Sequence, residues 1–412
     1  MTSTAAAPRR SRARAATPAA PTGVSRLLSA TAPSWPEHLA VHGQLPPVDR
    51  PTLTAALERS GLGGRGGAAF PTWRKLTAVD PRGRRPVVIA NGAEGEPLSI
   101  KDATLLARAP HLVLDGLLAV ARAIDAAEIH LVSGSRQLTT VRSAIAERDD
   151  AGDVSLHLIA DTFVSGEASA VVNSLRTGRA VPTDRTTRLT DAGLRGRPTL
   201  VQNVETLAHI ALVVRWGAEW FRTIGTPDEP GTRLLSVTGE RGTRVVEAAG
   251  AISIRRALDV AGLDTTRVGA TLVGGYHGAW VAADRLDTPL SRSALAPFGA
   301  SPGAGILLAL APDECPLATA SRIAMYLASQ SARQCGPCLN GLPRMAQTLT
   351  DLAEGRADAH TEDEIRRMGA LVRGRGSCHH PDGTARFVLS TLDTFADEVA
   401  AHLTGRCGRS PR

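Results

Sequence analysis

Short uninterrupted apolar runs alternate with amphipathic stretches through the first half of the chain. Pro86-Val-Val-Ile-Ala90 has no polar position, the pattern of a strand buried on both faces. Residues 128–132 and 154–160 read as further strands. Helical spacing covers 51–62, 102–124, 138–147 and 165–175, and Pro110 marks a break within the second of these. Strands alternating with helices predict a parallel α/β sheet. Residues 188–198 read as a loop, followed by a helix through about Trp216.

The pattern changes near Gly225. Residues 226–231, TPDEPG, read as a linker. Runs at 234–238 and 244–247 predict a hairpin around Gly239–Gly242, followed by a helix over 252–260 and strands over 271–273 and 278–282, a small α+β module. From Pro316 the spacing is helical, over 317–331, 337–354, 361–373 and 384–404, which predicts a four-helix bundle. The expected organisation is a disordered Ala/Pro/Arg-rich tail over 1–50, an α/β domain over 51–225, the α+β module over 226–315, the helical domain over 316–404 and a frayed end over 405–412.

Charge changes this picture little. The balance of +7 in 412 residues is concentrated at the start, where Arg9, Arg10, Arg12, Arg14 and Arg26 meet no acid before Glu37. The basic character is therefore assigned to a tail rather than to a nucleic-acid-binding surface. Thirteen aromatic residues are too few for a platform that stacks bases. No window approaches a membrane span, and no apolar segment follows Arg9-Arg10 as an export signal needs, so a cytoplasmic protein that does not itself cross a membrane is expected. Five cysteines do not make a disulfide scaffold. Among 47 basic side chains only Lys75 and Lys101 are lysines, so each is worth locating.

Four motifs carry chemistry. In Gly61-Leu-Gly-Gly-Arg-Gly-Gly-Ala-Ala-Phe-Pro-Thr-Trp-Arg-Lys75 the glycines let the backbone approach a ligand and aim N–H groups at an anion, with Arg65 and Lys75 supplying charge; a flexible connection is the plainer alternative. Asn91-Gly-Ala-Glu-Gly-Glu-Pro-Leu-Ser-Ile-Lys-Asp102 follows a predicted strand, where open α/β sheets bind ligands, and Asn91, Glu94 and Glu96 could bond a polar ring edge or ribose; a solvated turn capped at Asp102 is equally consistent. Ser165-Gly-Glu-Ala-Ser169 and the run 195–206 offer Asn203 and Glu205 as contacts, although helix capping by Ser165 or Asn203 explains those residues better. Cys335-Gly-Pro-Cys338, with Cys378-His379-His380 beyond it, suits a metal or cluster edge: an iron–sulfur cluster, a structural zinc held by three cysteines and His379 or His380, or a bare dithiol.

Together and in this order, GLGGRGGAAFPTWRKL, NGAEGEPLSIKDA, SGEASAVVNSL, GLRGRPTLVQNVETLAHI, GGYHGAW, LDTPLS and CGPC resemble the flavin- and NADH-binding subunit of respiratory complex I. Similar subunits occur in NAD-linked hydrogenases and formate dehydrogenases. The resemblance runs from about Gly61 to Phe387 and implies a Rossmann-like FMN domain, a ubiquitin-like β-grasp module of the soluble-ligand-binding type and a helical iron–sulfur domain. It implies that Gly64, Arg65, Gly66, Gly67 and Lys75 wrap FMN, that Asn91 and Glu94 meet the isoalloxazine edge, and that Phe70 and Glu96 line the nicotinamide pocket. Glu167, Gln202, Asn203 and Val204 join the cofactor-binding set, with Glu94 and Glu96 as catalytic candidates. Cys335, Cys338 and Cys378 match three ligands of a [4Fe–4S] cluster, with His379 as the fourth candidate. The implied activity is hydride transfer between NAD(P)H and FMN, then single-electron transfer through the cluster to a ferredoxin-like or thioredoxin-like iron–sulfur protein.

The chain departs from the family pattern at several points. Ala332 stands where the first cysteine of Cys-x-x-Cys-x-x-Cys is usual. Ala93 replaces an Asp, Ala168 replaces the second Glu of a Gly-Glu-Glu run, and Arg185-Thr-Thr-Arg188 replaces a segment with a stacking ring, although Arg185 keeps a charge. These changes motivate two other readings. One is an FMN and iron–sulfur protein that receives electrons from a ferredoxin or membrane partner instead of NADH. The other is a zinc-binding scaffold without catalysis.

Overall fold

The computed structural model of the chain describes residues 18–79, 83–184 and 186–409. Its first unit runs through α1 (Trp35–His42), α2 (Arg50–Ser60), α3 (Thr72–Thr77), β1 (Val87–Gly92), α4 (Lys101–Arg108), α5 (Pro110–Ala123), β2 (Glu128–Ser133), α6 (Leu138–Ala146), β3 (Val154–Leu158), α7 (Ala168–Thr177), β4 (Thr199–Asn203) and α8 (Val204–Arg222). The four strands are all parallel, in the order β3-β2-β1-β4. Burial on both faces explains the uninterrupted apolar run of β1. Val87 and Ile89 pack with Val132, Val171 and Val201 on one side, and Val88 and Ala90 with Leu112, Leu131 and Leu207 on the other. β1 and β4 end side by side, with Asn91 paired to Asn203, so whatever follows them shares one edge of the sheet.

The second unit contains β5 (Thr232–Gly239), β6 (Gly242–Ala249), α9 (Ile254–Val260), β7 (Ala270–Val273), β8 (Ala279–Ala282), α10 (Arg292–Leu295) and β9 (Ile306–Leu310). Its sheet order is β6-β5-β9-β7-β8, with β5 and β9 parallel and the other pairs antiparallel. The third unit is helical: α11 (Pro316–Ser329), a π-type turn at Pro337–Gly341, α12 (Leu342–Ala353), α13 (Thr361–Val372), α14 (His380–Thr394) and α15 (Ala396–Leu403). The helix expected over 384–404 is thus two helices, broken at Phe395. β4 falls where the sequence suggests the start of a helix, and β9 where it suggests no strand. Both are five-residue runs, too short for their period to separate strand from helix.

The amino-terminal expectation needs correction. Residues 18–50 are packed, not a free tail; residues 1–17, with Arg9, Arg10, Arg12 and Arg14, lie outside the described residues. Arg26 is 1% exposed. Its guanidinium donates to the Phe221 carbonyl and Thr223 Oγ1 and lies 4.0 Å above the Trp220 ring. The Glu247 carboxylate accepts the backbone N–H groups of Arg26, Leu27 and Leu28, tying the arm to β6. In α1, His38 Nε2 lies 2.7 Å from Asp115, which also takes Arg148 and Arg215. The arm is fixed by these partners, not by its own composition. At the other end, Gly408 N donates to Glu398 at 2.9 Å, so 405–409 is seated rather than frayed. Among the described residues no single helix is long and apolar enough to cross a membrane.

Candidate functional site

The glycine loop leaves α2 at Gly61, whose φ of 68° closes the helix, and is pinned by a bridge between Gly63 and Pro71. Gly64 N donates to the Phe70 carbonyl at 2.9 Å, and Arg65 N to Thr206 Oγ1 at 2.8 Å. Gly66 lies so close to α8 that a Cβ there would sit 3.2 Å from Asn203 Cβ. Gly67 has φ 110°, a conformation only glycine adopts freely. The loop therefore rests on the start of α8, at the carboxyl edge of β1 and β4.

The two cations of this motif part company. Arg65 points into the second unit, where its guanidinium donates to the carbonyls of Pro230 and Thr232, each at 3.1 Å. Burial lowers it to about 10. Its charge, expected on the ligand side of the loop, is instead used to dock the loop on β5. Lys75 donates to the Val201 carbonyl on β4. Burial pushes its ammonium down to about 8, with Glu167 opposing the shift. Phe70, beside the loop, is 51% exposed.

At the end of β1, Asn91 donates from Nδ2 to the Gly166 carbonyl at 2.9 Å and accepts from Ala93 N, tying the strand to the two sheet-edge loops. Gly95 passes so near Thr162 that any Cβ would strike its carbonyl. Glu94 caps α4: its oxygens accept Ser99 Oγ, Asp102 N and Ala103 N. That cap uses both oxygens, so the carboxylate expected at a ring edge is a helix cap here. Glu96 instead reaches the second unit and accepts Tyr276 N. Burial raises it to about 7, with Glu94 adding to the shift and the Tyr276 bond opposing it.

Glu167 caps α7 through Ser169 N and Ala170 N. Asn203 caps α8 through Glu205 N and Thr206 N, while its Nδ2 donates to Asp102 Oδ2 at 2.7 Å. Gln202 is buried in β4, and Val204 is buried in the first core. Beneath them lies a charged network that sequence reasoning did not assemble. Lys101, 1% exposed, lies 2.7 Å from Asp102 Oδ1 and 2.9 Å from Glu205 Oε2. Burial alone would raise Glu205, but Lys101, His209 and Arg65 hold it well below the usual carboxylate range. Burial pushes Asp102 up. The scarcity of lysine was the available signal.

The third unit brings Cys335 and Cys338 together, with Cys378 near enough to raise the Cys338 thiol. Cys335 Sγ and Cys338 Sγ are 3.6 Å apart at the start of the π-type turn, a distortion that recurs at functional sites. Cys378 and Cys338 are buried, and the Ser377 N–H faces the Cys335 sulfur. Burial would raise Cys335, but N–H groups of Cys338 and Ser377 outweigh it and hold the thiol below its usual value. Burial pushes Cys338 up to about 12. His380 is committed elsewhere, with Nε2 2.8 Å from the Leu327 carbonyl and Nδ1 3.0 Å from His277. His379 is largely exposed, 3.7 Å from Asp382.

A ring cluster joins the two regions. Phe163 packs against Tyr276, His277, Tyr326 and His380, with centroids 4.7–6.5 Å apart. Both tyrosines of the chain are here, and Tyr276 is the residue that holds Glu96. Sequence reasoning missed Phe163 and Tyr326, although the rarity of rings made each one informative.

Two family models match the chain in the order of its units. The Nuo51 FMN-binding domain covers residues 57–212, and the NADH-ubiquinone oxidoreductase-F iron–sulfur binding region covers 318–402. The F-type subunit of the NADH-quinone oxidoreductase of Streptomyces coelicolor is 29% identical over 376 residues, 86% of this chain and 83% of that relative. The HndC subunit of the NADP-reducing hydrogenase of Solidesulfovibrio fructosivorans is 27% identical over 368 residues, 84% of this chain and 75% of that one. The crystal structure of an air-oxidized NAD+-reducing [NiFe]-hydrogenase superposes with a TM-score of 0.79 at 30% identity; the match takes in 86% of this chain and 63% of that one. With the two models spanning more than half of its length in the order found here, the chain belongs to the family of flavin- and iron–sulfur-binding proteins represented by the F-type subunits of NADH-quinone oxidoreductases.

Proposed function

We propose that this chain is an electron-transfer flavoprotein subunit that takes hydride from NAD(P)H at FMN and passes single electrons through an iron–sulfur cluster to an iron–sulfur partner protein. The observation that carries the reading is the meeting, at one sheet edge, of the Gly64–Gly67 loop, the buried Lys75 ammonium and the ends of β1 and β4. Carboxyl ends of parallel strands are where open α/β sheets bind nucleotides, and backbone N–H groups in a glycine loop suit a phosphate. The first unit is read as Rossmann-like, the second, with its parallel β5–β9 pair, as a β-grasp, and the third as the iron–sulfur bundle.

The residues present fit FMN. Gly66 lets the loop backbone lie against Asn203, where a Cβ would be crowded at 3.2 Å, so its N–H groups stay free of side chains, and Lys75 supplies a buried cation facing β4. They also fit an iron–sulfur cluster held by Cys335, Cys338 and Cys378, with Ala332 leaving the fourth position to His379 or to an open iron. When bound, FMN accepts a hydride and releases electrons singly, which a cluster can carry away. The chain's own residues do the positioning. Asn91 fixes the loop after β1 against Gly166, and Asn203 holds the start of α8. Glu96, raised to about 7, can hold or release a proton near neutral pH beside Tyr276. Phe70 offers an exposed ring face for a nicotinamide or adenine.

One observation favours a second reading, in which NADH is no longer the donor. Glu94 is spent on capping α4, Ala93 carries no carboxylate, and Arg188 stands where a ring would stack. Electrons would then enter from a ferredoxin or a membrane partner. Protein prepared without oxygen and supplied with FMN, iron and sulfide should show flavin absorbance above a broad cluster background. A preparation that takes up neither removes both readings, while uptake without a response to NADH leaves the second.

A further inference from the structure

Cys315 is about eighty residues away in the sequence from Glu398, His402 and Cys407, and none of the four belongs to the flavin or iron–sulfur residues. Their ligand atoms all lie within 4.8 Å of one another. Cys315 is the N-cap of α11, at the junction between the second and third units. Glu398 and His402 are one turn apart on α15, so they share a face. Cys407 returns on the segment after α15. Glu398 and His402 are buried, while both cysteines are half-buried.

The hydrogen bonds of the cluster aim its ligand atoms at one another. His402 Nδ1 is 3.1 Å from the Leu352 carbonyl, which can only accept, so Nδ1 carries the proton. In the neutral ring, Nε2 then presents a lone pair. Nε2 lies 3.1 Å from Glu398 Oε1 and 3.5 Å from Cys315 Sγ, whose S–H can donate to it in the metal-free site. Cys407 Sγ is 3.2 Å from the same Glu398 oxygen. A carbonyl that fixes the tautomer and aims the other nitrogen is the usual outer support of a metal-bound histidine. The Ala318 N–H lies 3.4 Å from Cys315 Sγ at the start of α11 and opposes burial, which raises that thiol, so the free site holds a protonated sulfur.

We propose that these four residues form a structural zinc site, separate from the iron–sulfur centre. Two sulfurs, one imidazole nitrogen and one carboxylate oxygen make a four-ligand donor set suited to zinc. Binding releases the two thiol protons and leaves the centre with one net negative charge. Arg409 Nε, 3.8 Å from Glu398 Oε2, partly offsets it. Because all four positions are filled by protein, the site leaves no place for substrate and serves as a clamp. It ties the end of the chain to the start of α11, the helix that leads to the Cys335 turn.

Metal analysis of the full-length chain, prepared without added zinc or chelator and with its iron–sulfur site reconstituted, tests this. About one zinc per chain is expected. It should be retained when Cys335, Cys338 and Cys378 are all changed to Ser, and lost in Cys315→Ser combined with Cys407→Ser. X-ray absorption at the zinc edge of the unmodified chain needs no variant to fold. It should show two sulfurs at ~2.3 Å with a nitrogen and oxygen shell. Zinc that leaves with the Cys335 set, a four-sulfur shell, absence of zinc, or an intact mass showing a Cys315–Cys407 disulfide would each overturn the proposal.

Discussion

Lys101 Nζ lies 2.9 Å from Glu205 Oε2, and the two side chains, each 1% exposed, join the first turn of α4 to the first turn of α8. The same ammonium bonds Asp102, whose other oxygen holds Asn203, the residue on which Gly66 rests. One buried cation thus sets the distance between the glycine loop and the sheet edge. Lys101→Met leaves two carboxylates buried without their partner. A loss of about 3–5 kcal/mol in urea unfolding is expected. A loss below about 1 kcal/mol would show that the carboxylates find other partners.

Lys75 should act through its charge at the flavin site. Burial sets its folded value near 8, below its ordinary 10.5, so the unfolded chain binds more protons between those values. Stability should therefore rise as pH increases from about 8 toward 10.5. FMN affinity should move the opposite way, weakening above about pH 8, because the bound anion favours the charged amine. In Lys75→Met, affinity should fall roughly tenfold or more at neutral pH and lose its dependence on pH in this range, as fluorescence titration would show. An unchanged affinity would remove Lys75 from the site.

Glu96 gives a test with the reverse sign. Its folded value is raised from 4.5 to about 7 by burial, so the folded chain binds more protons across that window. Stability carried by the neutral acid is present below pH 4.5 and is lost as pH rises through about 7. Glu96→Gln, which keeps the neutral shape, should flatten this part of the curve measured by chemical denaturation. If Glu96 also handles a proton during turnover, the same variant should shift the pH profile of flavin reduction. A variant whose stability keeps the wild-type slope would place the titration elsewhere.

Much of this arrangement could be read from the chain because its signals are local. The apolar run of β1, the glycine loop and the Cys335-x-x-Cys338 spacing are contiguous, and each lies where expected. β4 and β9 could not be read, since five apolar or mixed residues fit strand and helix alike. Side-chain direction was the larger loss. Glu94 and Glu167 sit at the expected edge but spend their oxygens on caps, a result that depends on which N–H groups the fold brings near, whereas the cap at Asn203 is one the sequence already indicates. Arg26 and Leu27 lie in a segment of disordered composition and become buried only because Glu247 and Trp220 meet them. Cys315 and Cys407 pointed nowhere until α11 and α15 packed together.

Ala332→Cys restores the three-cysteine spacing of the family pattern. If the wild-type cluster has an open or weak fourth position, the variant should lose iron to a chelator more slowly and change the electron spin resonance signal. Equal rates would mean that another residue already holds that position. His379→Ala then identifies it: accelerated loss assigns the role to His379.

The most direct measurement is rapid anaerobic mixing of the reconstituted chain with NADH, followed by absorbance. The expected result is prompt bleaching of the flavin band, then slower loss of the broad cluster absorbance as electrons move on. A chain that binds no FMN, or whose bound flavin stays oxidised with NADH and with a reduced ferredoxin-like donor alike, would contradict the proposed electron path.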